Sequence, residues 1–453
     1  MDTLATGRTG TVVRISGPLV EVDGVDGVSM LEVVAVGPQR ISAETVAIAG
    51  TRAILQAYEY TGGLKAGDTA EATGNQLSGL LGPGLLGQVF DGLMRPLSSA
   101  PLWLTPDRAG SAEDPAALAR SWTFIPAASA GAHVSPGDVL GTVPGAGSVE
   151  HKVLVPWGVS GEVTWLAPES QVHALDVVAR VGTHEVQLAE RWPVRRPRPF
   201  RDRRTEAVPL HTGQRVLDLM YPVARGAAAA VPGGFGTGKT LLLQQIAKWS
   251  DADVIVYVGC GERGNEMADV LDGLSKLVDT RTGGQLIDRT VIIANTSNMP
   301  MMAREASIYT GITVAEFYRD MGYDVVVIAD STSRWAEALR EFANRNGDLP
   351  AEEGYPANLA SELAAFYERA GCVTTLGGRT ASVTVIGAIS PPGGDMTEPV
   401  TTDTQRFVRS LWLLDRDLAY SRHYPAVSWT GSFARDAEAL GLWHAANGHP
   451  GWA

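Results

Sequence analysis

The segment that most constrains the fold lies near the middle of the chain. It reads GGFGTGKT at 233–240 and fits the pattern G-x-x-x-x-G-K-[S/T]. In such a loop the backbone N–H groups surround phosphate oxygens. The positive end of the following helix dipole also stabilises the negative charge of the phosphate. Because this loop joins a strand to a helix, the pattern predicts an α/β domain with a phosphate-binding site.

The sequence around the loop supports this prediction on one side only. Residues 241–248 are typical of a helix, whereas the alanine-rich run 227–231 is a poor strand former on propensity. Farther along, short apolar segments alternate with helix-like ones. We predict buried strands at 253–258, 290–294, 323–329 and 382–387, and helices at 300–321 and 334–343. That alternation predicts a RecA-like parallel sheet with helices on both faces.

The first 75 residues have a different character. Segments 10–15 and 30–35 are rich in Val and Ile, and they are separated by Gly-Pro and Asp-Gly turns. A small closed barrel would cover the edges of such short strands. We therefore expect four regions, which are an N-terminal β-barrel at 1–75, a mixed region at 76–204, the nucleotide-binding domain at 205–435, and the start of a helical region at 436–453.

The mixed region has three parts. Residues 76–100 are glycine-rich and are interpreted as a connection between domains. Residues 101–190 again suggest short strands and turns, which indicates an inserted β-rich bulge. Residues 191–204 hold seven arginines and three prolines, so they form either an anion-binding arm or an extended linker whose arginines pair with acidic neighbours. The second interpretation is favoured in a chain of net charge −13.

Charge and cysteine content exclude several classes of protein. With 37 basic and 50 acidic residues, the chain would be repelled overall by a nucleic-acid backbone, so we expect no nucleic-acid partner. Two cysteines cannot build a disulfide framework or a zinc cluster, and a reducing compartment fits best. No signal peptide and no run of about 18 apolar residues is found, so any work on a membrane is expected to be done from outside it.

The predicted phosphate-binding loop suggests roles for several residues in and near it. Lys239 is expected to reach the β- and γ-phosphates of a nucleotide, and the Thr240 hydroxyl to ligate Mg²⁺. Asp330 ends the apolar segment 325–329, where a carboxylate faces the ligand crevice and can hold Mg²⁺ through water. A strand-ending aspartate is otherwise commonly a helix cap. The residues predicted to contact the nucleotide phosphates are Gly233, Gly234, Phe235, Gly236, Thr237, Gly238, Lys239 and Thr240.

Glu262 and Arg263 follow the predicted strand 253–258. A glutamate at that place can polarise the water that attacks a γ-phosphate, and Arg263 could stabilise the developing charge. A helix cap or an ion pair is the alternative role for Glu262. Glu266 is interpreted as a residue at the start of the next helix.

These motifs together resemble the catalytic A subunit of V-type and archaeal A-type rotary ATPases. The resemblance extends over nearly the whole chain and is carried by long, specific blocks. They are SMLE at 29–32, TGGLK at 61–65, LGPGLL at 81–86, FDG at 90–92, IANTSNMP at 293–300, AREASIYTGI at 303–312, DSTSRWAEALR at 330–340 and SPPGGD at 390–395.

The resemblance implies a site shared between subunits. Three copies would alternate with three B subunits, each B subunit supplying an arginine finger in trans, and the ring would contact central and peripheral stalk subunits. ATP or ADP with Mg²⁺ would be bound, and hydrolysis or synthesis would be coupled to proton or sodium transport from the cytoplasmic face of a membrane. Lys239, Thr240, Glu262, Arg263 and Asp330 fall on matching positions, and Tyr424 matches an aromatic residue that stacks on adenine.

The chain departs from the family pattern at several positions. Ser428 and the segment 432–434 differ from the usual residues after the adenine-stacking aromatic, and Glu362 stands where the family usually has arginine. Thr237 occupies the position of a regulatory cysteine of eukaryotic members. The helical C-terminal domain is expected to be missing. Two other functions stay open, which are a nucleotide-binding ring subunit with a structural role and a RecA-like export or nucleic-acid motor.

Overall fold

A computed structural model describes residues 8–97, 118–279, 281–449 and 451. Each of the four predicted regions, 1–75, 76–204, 205–435 and 436–453, therefore lies partly outside the described residues. Within those ranges, no helix is long and apolar enough to cross a bilayer.

Six strands form a closed barrel at the N-terminus, as predicted. They pair in the order β1-β2-β5-β4-β3-β6. Alternate side chains point inward, and the interior is filled by small residues such as Val20, Val34 and Ala43, each fully buried. The strands are β1 Arg8–Ser16, β2 Leu19–Asp23, β3 Glu32–Val36, β4 Ile41–Ala49, β5 Arg52–Ala57 and β6 Thr69–Gln76.

The inserted region is a sandwich of two four-stranded sheets with its own apolar core. The sheets have the orders β10-β13-β15-β16 and β12-β11-β9-β14. Trp122 and Phe124 are buried between them. The strands are β9 Trp122–Pro126, β10 His133–Val134, β11 Val139–Val143, β12 His151–Leu154, β13 Gly161–Leu166, β14 Ser170–Val172, β15 Val177–Val181 and β16 His184–Gln187.

The C-terminal half contains a ten-stranded sheet whose central strands run parallel, with helices on both faces. The order along its main path is β28-β27-β21-β26-β24-β22-β23-β8. The remaining strands are β7 Ser78–Leu81, β8 Val89–Phe90, β17 Glu190–Pro193, β18 Asp202–Arg203, β19 Pro209–Leu210, β20 Val223–Ala224, β21 Ala228–Pro232, β22 Val254–Glu262, β23 Thr290–Thr296, β24 Asp324–Asp330, β25 Gly371–Thr374, β26 Thr380–Ile389, β27 Ser410–Leu411 and β28 Phe433–Ala434.

The helices of this domain connect its strands and cover both faces of the sheet. They are α1 Arg215–Met220, α2 Lys239–Trp249, α3 Gly264–Lys276, α4 Met301–Asp320, α5 Thr332–Asn346, α6 Leu359–Tyr367, α7 Pro399–Phe407, α8 Arg416–Tyr420 and α9 Ala437–Ala446. Short 3₁₀ turns lie at Leu286–Arg289, Glu352–Gly354 and Pro392–Gly394. The parallel α/β prediction is confirmed, and the predicted helices 300–321 and 334–343 correspond to α4 and α5.

The alanine-rich run before the phosphate-binding loop is a strand, contrary to its propensity. It forms β21, which pairs in parallel with β26 on one side and β27 on the other. Ala229, Ala230 and Val231 are completely buried. Burial on both faces and hydrogen bonding on both edges outweigh the weak intrinsic preference of alanine for strands.

The glycine-rich stretch 76–97 belongs to the α/β domain rather than serving only as a connection. β7 pairs with β17, and β8 joins the parallel sheet beside β23. Leu81 and Phe90 pack into the core of the large sheet. Gly92 lets the backbone of this stretch approach α4 closely, since a Cβ atom at this position would lie 2.0 Å from the Ala303 carbonyl oxygen.

Arginines of the linker 191–204 pair with acidic residues, as the favoured interpretation predicted. Arg195 donates to Glu44 of the barrel at 2.9 Å and to Glu305 of α4 at 2.7 Å, so one guanidinium ties two domains together. Arg198 is bonded to Asp320 at 2.7 Å and to Glu190 at 2.6 Å. Arg204 also pairs with Glu206, whereas Arg201 and Arg203 donate to backbone carbonyls, so these five arginines have partners within the chain.

His151 lies where the inserted sandwich meets α4, and its burial predicts an acid-sensitive interface. The ring packs against Phe317 with ring centroids 5.8 Å apart, and burial lowers the pKa of His151 from 6.5 to about 3. At pH values between about 3 and 6.5, His151 is protonated in the unfolded chain but neutral in the folded chain, so the unfolded chain binds one proton more. The free energy of unfolding should therefore fall as the pH drops below 6.5, by up to about 1.4 kcal/mol per pH unit.

Urea unfolding at pH 7, 6 and 5 measures this dependence in wild type and in His151→Phe. The variant should lose that part of the slope, and His184→Gln, which changes an exposed histidine of the same sandwich, should keep it. Equal slopes in wild type and His151→Phe would contradict the prediction.

Candidate nucleotide-binding site

Three strand ends converge at one edge of the parallel sheet. β21 leads into the loop at 233–238, β22 ends at Glu262, and β24 ends at Asp330. The strands run parallel in the order β21-β26-β24-β22, so their carboxyl ends lie along the same edge. In open α/β sheets this edge is where ligands bind.

The loop has the backbone that a phosphate cradle requires. Gly236 and Gly238 have φ angles of +79° and +86°, which favour glycine, and α2 begins at the next residue, Lys239. The buried Thr237 braces the loop, since its hydroxyl donates to the Gly234 carbonyl at 2.9 Å. Thr237 therefore has a structural contact in addition to its predicted place beside the phosphates.

Lys239 folds back onto its own loop. Its ammonium donates to the carbonyl oxygens of Gly233 and Gly234. Burial lowers the pKa of Lys239, while the charges of Asp330 and Glu262 act in the opposite direction. A partly buried cation held by backbone carbonyls at the start of a helix is suited to an anionic ligand.

Thr240 and Asp330 meet across the crevice. The Thr240 hydroxyl donates to Asp330 Oδ2 at 3.3 Å, and the Tyr257 hydroxyl donates to the same oxygen at 3.0 Å. Burial raises the pKa of Asp330, and the hydrogen bond from Tyr257 and the charge of Lys239 oppose that shift.

This pair fits Mg²⁺ bound together with a nucleotide. Mg²⁺ prefers oxygen ligands and usually takes only one or two protein groups when phosphates and waters complete its shell. No group of three or more His, Cys, Asp or Glu side chains suited to a metal is found among residues 8–97, 118–279, 281–449 and 451. Thr240 and Asp330 therefore satisfy the chemistry of a cation shared with phosphates rather than that of a cation held by protein alone.

Glu262 is the last residue of β22, so the observed strand is longer than the predicted segment 253–258. Burial raises the pKa of Glu262 to about 8, with further contributions from the charge of Asp330 and from Glu266, whereas Arg334 lowers it. Glu266 lies in the first turn of α3, as predicted. Once ionised, a carboxyl with a raised pKa is a stronger proton acceptor than an ordinary glutamate.

Two arginines flank Glu262. Arg263 is exposed and precedes α3, and its side chain makes no hydrogen bond or ion pair with any described residue. Arg334, in the first turn of α5, was not identified from the sequence. A Cβ atom on Gly261 would lie 3.0 Å from Arg334 Cβ, which places this arginine directly beside the end of β22. Its position four residues after Asp330 is a signal that could have identified it.

Two aromatic side chains lie next to the loop. The Tyr424 ring is half-exposed, and a Cβ atom on Gly238 would lie 3.2 Å from its Cε1 atom. Phe235, at the tip of the loop, is 90% exposed. The structure therefore places Tyr424 beside the loop and leaves the Phe235 side chain almost entirely exposed.

Comparison with known proteins agrees with this architecture. Residues 213–434 match the nucleotide-binding domain of the ATP synthase alpha/beta family. Residues 114–195 match the barrel-sandwich domain of ATP synthase alpha/beta subunits, and residues 12–74 match the beta-barrel domain of the same family.

Relatives are similar over nearly the whole chain. The A subunit of the A-type ATP synthase from Hyperthermus butylicus is 50% identical over 98% of this chain and 75% of its own length. The V-type ATP synthase alpha chains of Nitrosococcus oceani and Anaeromyxobacter dehalogenans are 52% and 53% identical, each over 96% of this chain and 75% of the relative. The chain therefore belongs to the ATP synthase alpha/beta family, together with the A subunits of A-type enzymes and the alpha chains of V-type enzymes.

Proposed function

We propose that this chain is the catalytic subunit of a rotary ATPase of the A or V type, which hydrolyses or synthesises ATP in a complex that transports protons or sodium ions. The convergence of Lys239, Glu262 and Asp330 on the phosphate-binding loop is the observation that carries this proposal. The partial burial of Glu262, which raises its pKa beside Asp330, also supports the proposal, because perturbed carboxyls cluster at functional sites.

Binding would use groups that already face the crevice. The loop amides at 233–238 receive the phosphates, and Lys239 exchanges its carbonyl contacts for β- and γ-phosphate oxygens. Thr240 and Asp330 would hold Mg²⁺, which neutralises charge on the β- and γ-phosphate oxygens when it is bound. Tyr424 would stack on adenine from its place beside Gly238.

Catalysis would use Glu262 to orient the attacking water. The ionised glutamate accepts a hydrogen bond from the water, whose oxygen bonds to the γ-phosphorus as the bond to the ADP oxygen breaks, and it takes up the proton that this water loses. Because the charge of Asp330 helps to raise the Glu262 pKa, neutralising Asp330 would favour the ionised form of Glu262. Arg263 and Arg334 would offset negative charge that develops beside Glu262.

The assembly proposed for the family would complete the site. Three copies of this chain would alternate with three B subunits, each donating an arginine finger across the interface, with central and peripheral stalk subunits attached. The ring would lie on the cytoplasmic face of a membrane. Arg263 and the loop residue Phe235 are both exposed, which is consistent with a site that a neighbouring subunit covers.

Glu262→Gln tests the catalytic role against a structural one. Glutamine keeps the shape of the side chain but cannot accept a proton, so ATP binding should be retained while turnover falls by about 10²- to 10⁴-fold. Nucleotide binding is measured by calorimetry and turnover by phosphate release. Glu341→Gln, an exposed change on α5, serves as the control and should leave both unchanged. Equal losses of binding and rate in Glu262→Gln would make this residue structural.

A further inference from the structure

We propose that Tyr257 is a positioning residue of this site, whose phenol orients the Asp330 carboxylate and, through it, the Thr240 hydroxyl. The inference rests on the proposed function, since it concerns the pair of groups assigned to Mg²⁺. Tyr257 would touch neither nucleotide nor metal, so its effect would be exerted entirely through Asp330.

Strand register brings the phenol to Asp330. In the parallel pairing of β22 with β24, Tyr257 lies beside Ile328, and Gly259 lies beside Asp330. Side chains two residues apart point to the same face, so Tyr257 and Asp330 share a face of the sheet. Gly259 carries no side chain between them. A Cβ atom there would lie 2.2 Å from the Met267 sulfur, so the space is closed to a larger residue.

The hydrogen bonds converge on one oxygen. Asp330 Oδ2 accepts from the Tyr257 hydroxyl at 3.0 Å and from the Thr240 hydroxyl at 3.3 Å. Tyr257 is 1% exposed and Asp330 is 4% exposed, and the tyrosine packs in the apolar cluster with Leu243 and Ile246 of α2. Bulk water therefore cannot replace the phenol as a donor.

This arrangement determines which electron pairs stay available. A threonine hydroxyl has one hydrogen, and here it is directed at Asp330, so the oxygen lone pairs of Thr240 remain free for a cation. The other carboxylate oxygen, Oδ1, takes no part in these two bonds. Partners of this kind hold metal-binding groups in orientation, and their loss typically weakens metal affinity by about 10- to 100-fold.

The test uses Mn²⁺ as the probe on the full chain. Free Mn²⁺ is measured by electron paramagnetic resonance with and without ADP. Tyr257→Phe should weaken ADP-dependent Mn²⁺ binding by about 10- to 100-fold, while ADP binding without metal is unchanged. The Mg²⁺ concentration for half-maximal ATP turnover should rise by the same factor, and saturating Mg²⁺ should restore the rate. Unchanged Mn²⁺ affinity in Tyr257→Phe would overturn the proposal.

Two further variants separate the donor from the packing. Tyr318→Phe removes a buried phenol on α4, in the core on the opposite face of the sheet, and should leave Mn²⁺ binding unchanged. 4-Fluorophenylalanine at position 257 fills the volume of the hydroxyl without a donor, and it should weaken binding as Tyr257→Phe does, even where phenylalanine alone impairs folding. Wild-type affinity in the fluorinated chain would overturn the positioning role.

The same measurements distinguish this inference from the proposed function. If wild type binds Mn²⁺ with ADP and the Tyr257 variants do so equally well, only the positioning role fails. If wild type shows no ADP-dependent Mn²⁺ binding, the nucleotide site itself is wrong and the positioning role falls with it.

Discussion

Replacing Lys239 by alanine should abolish ATP hydrolysis. The side chain is the cation at the first position of α2, and it is already partly buried against the loop carbonyls. Phosphoryl transfer depends almost wholly on positioning and on stabilisation of charge, so losing this cation should lower turnover by at least about 10³-fold. ATP affinity should also fall, because the loop amides would then receive the β- and γ-phosphates without a counter-charge.

The measurement is phosphate release by the purified chain, free of contaminating ATPase, together with titration of a fluorescent ATP analogue. Lys248→Ala is the matched control, since it removes a lysine from the last turn of the same helix. Equal hydrolysis by wild type and Lys239→Ala would mean that the loop at 233–240 is not the catalytic phosphate site.

Addition of the matching B subunit should raise the ATPase rate by about 10³- to 10⁵-fold, the range that an arginine finger contributes in other phosphoryl-transfer enzymes. The cations that this chain itself brings to the site are Lys239 and the two arginines beside Glu262, which are Arg263 and Arg334. The side of the loop that carries Phe235 is open, and that residue is 90% exposed. A guanidinium supplied from a neighbouring subunit would complete the charge around the γ-phosphate.

Turnover of the chain is compared alone, with the B subunit, and with a B subunit whose finger arginine is replaced by alanine. The last mixture should form the ring, as judged by its mass in solution, but should keep the slow rate of the isolated chain. Full activity of the chain by itself would contradict the shared site.

Much of the candidate site could be predicted from local sequence. The loop at 233–240 has a fixed spacing because each glycine and the lysine meet a particular backbone or charge requirement. Asp330 was predicted because it directly follows an apolar run, and the parallel sheet was predicted from such runs. Each of these signals is contained in a few consecutive residues, so none depends on how distant segments pack.

Other features depended on contacts between distant segments. The run 227–231 forms β21 only because two neighbouring strands bond to it, and residues 78–97 join the core of a domain that begins more than one hundred residues later. Arg334 reaches Glu262 because α5 passes beside the end of β22. The pairing of β21 and the packing of residues 78–97 leave no periodicity or spacing in the local sequence, and only the position of Arg334 four residues after Asp330 is a local signal.

The sequence by itself determined the chemistry expected of this protein, since the residues predicted to bind phosphate and the metal are specified by type and spacing. Only the tertiary structure decided which hydrogen bonds orient these side chains. Tyr257 belongs to no recognised motif, and in the sequence it is one residue of an apolar run predicted to be a buried strand. Its phenol meets Asp330 because the register of two parallel strands places them on one face, with a glycine between, at a distance of 3.0 Å. Register is set by the packing of the whole sheet, and so this contact could be found only in the folded chain.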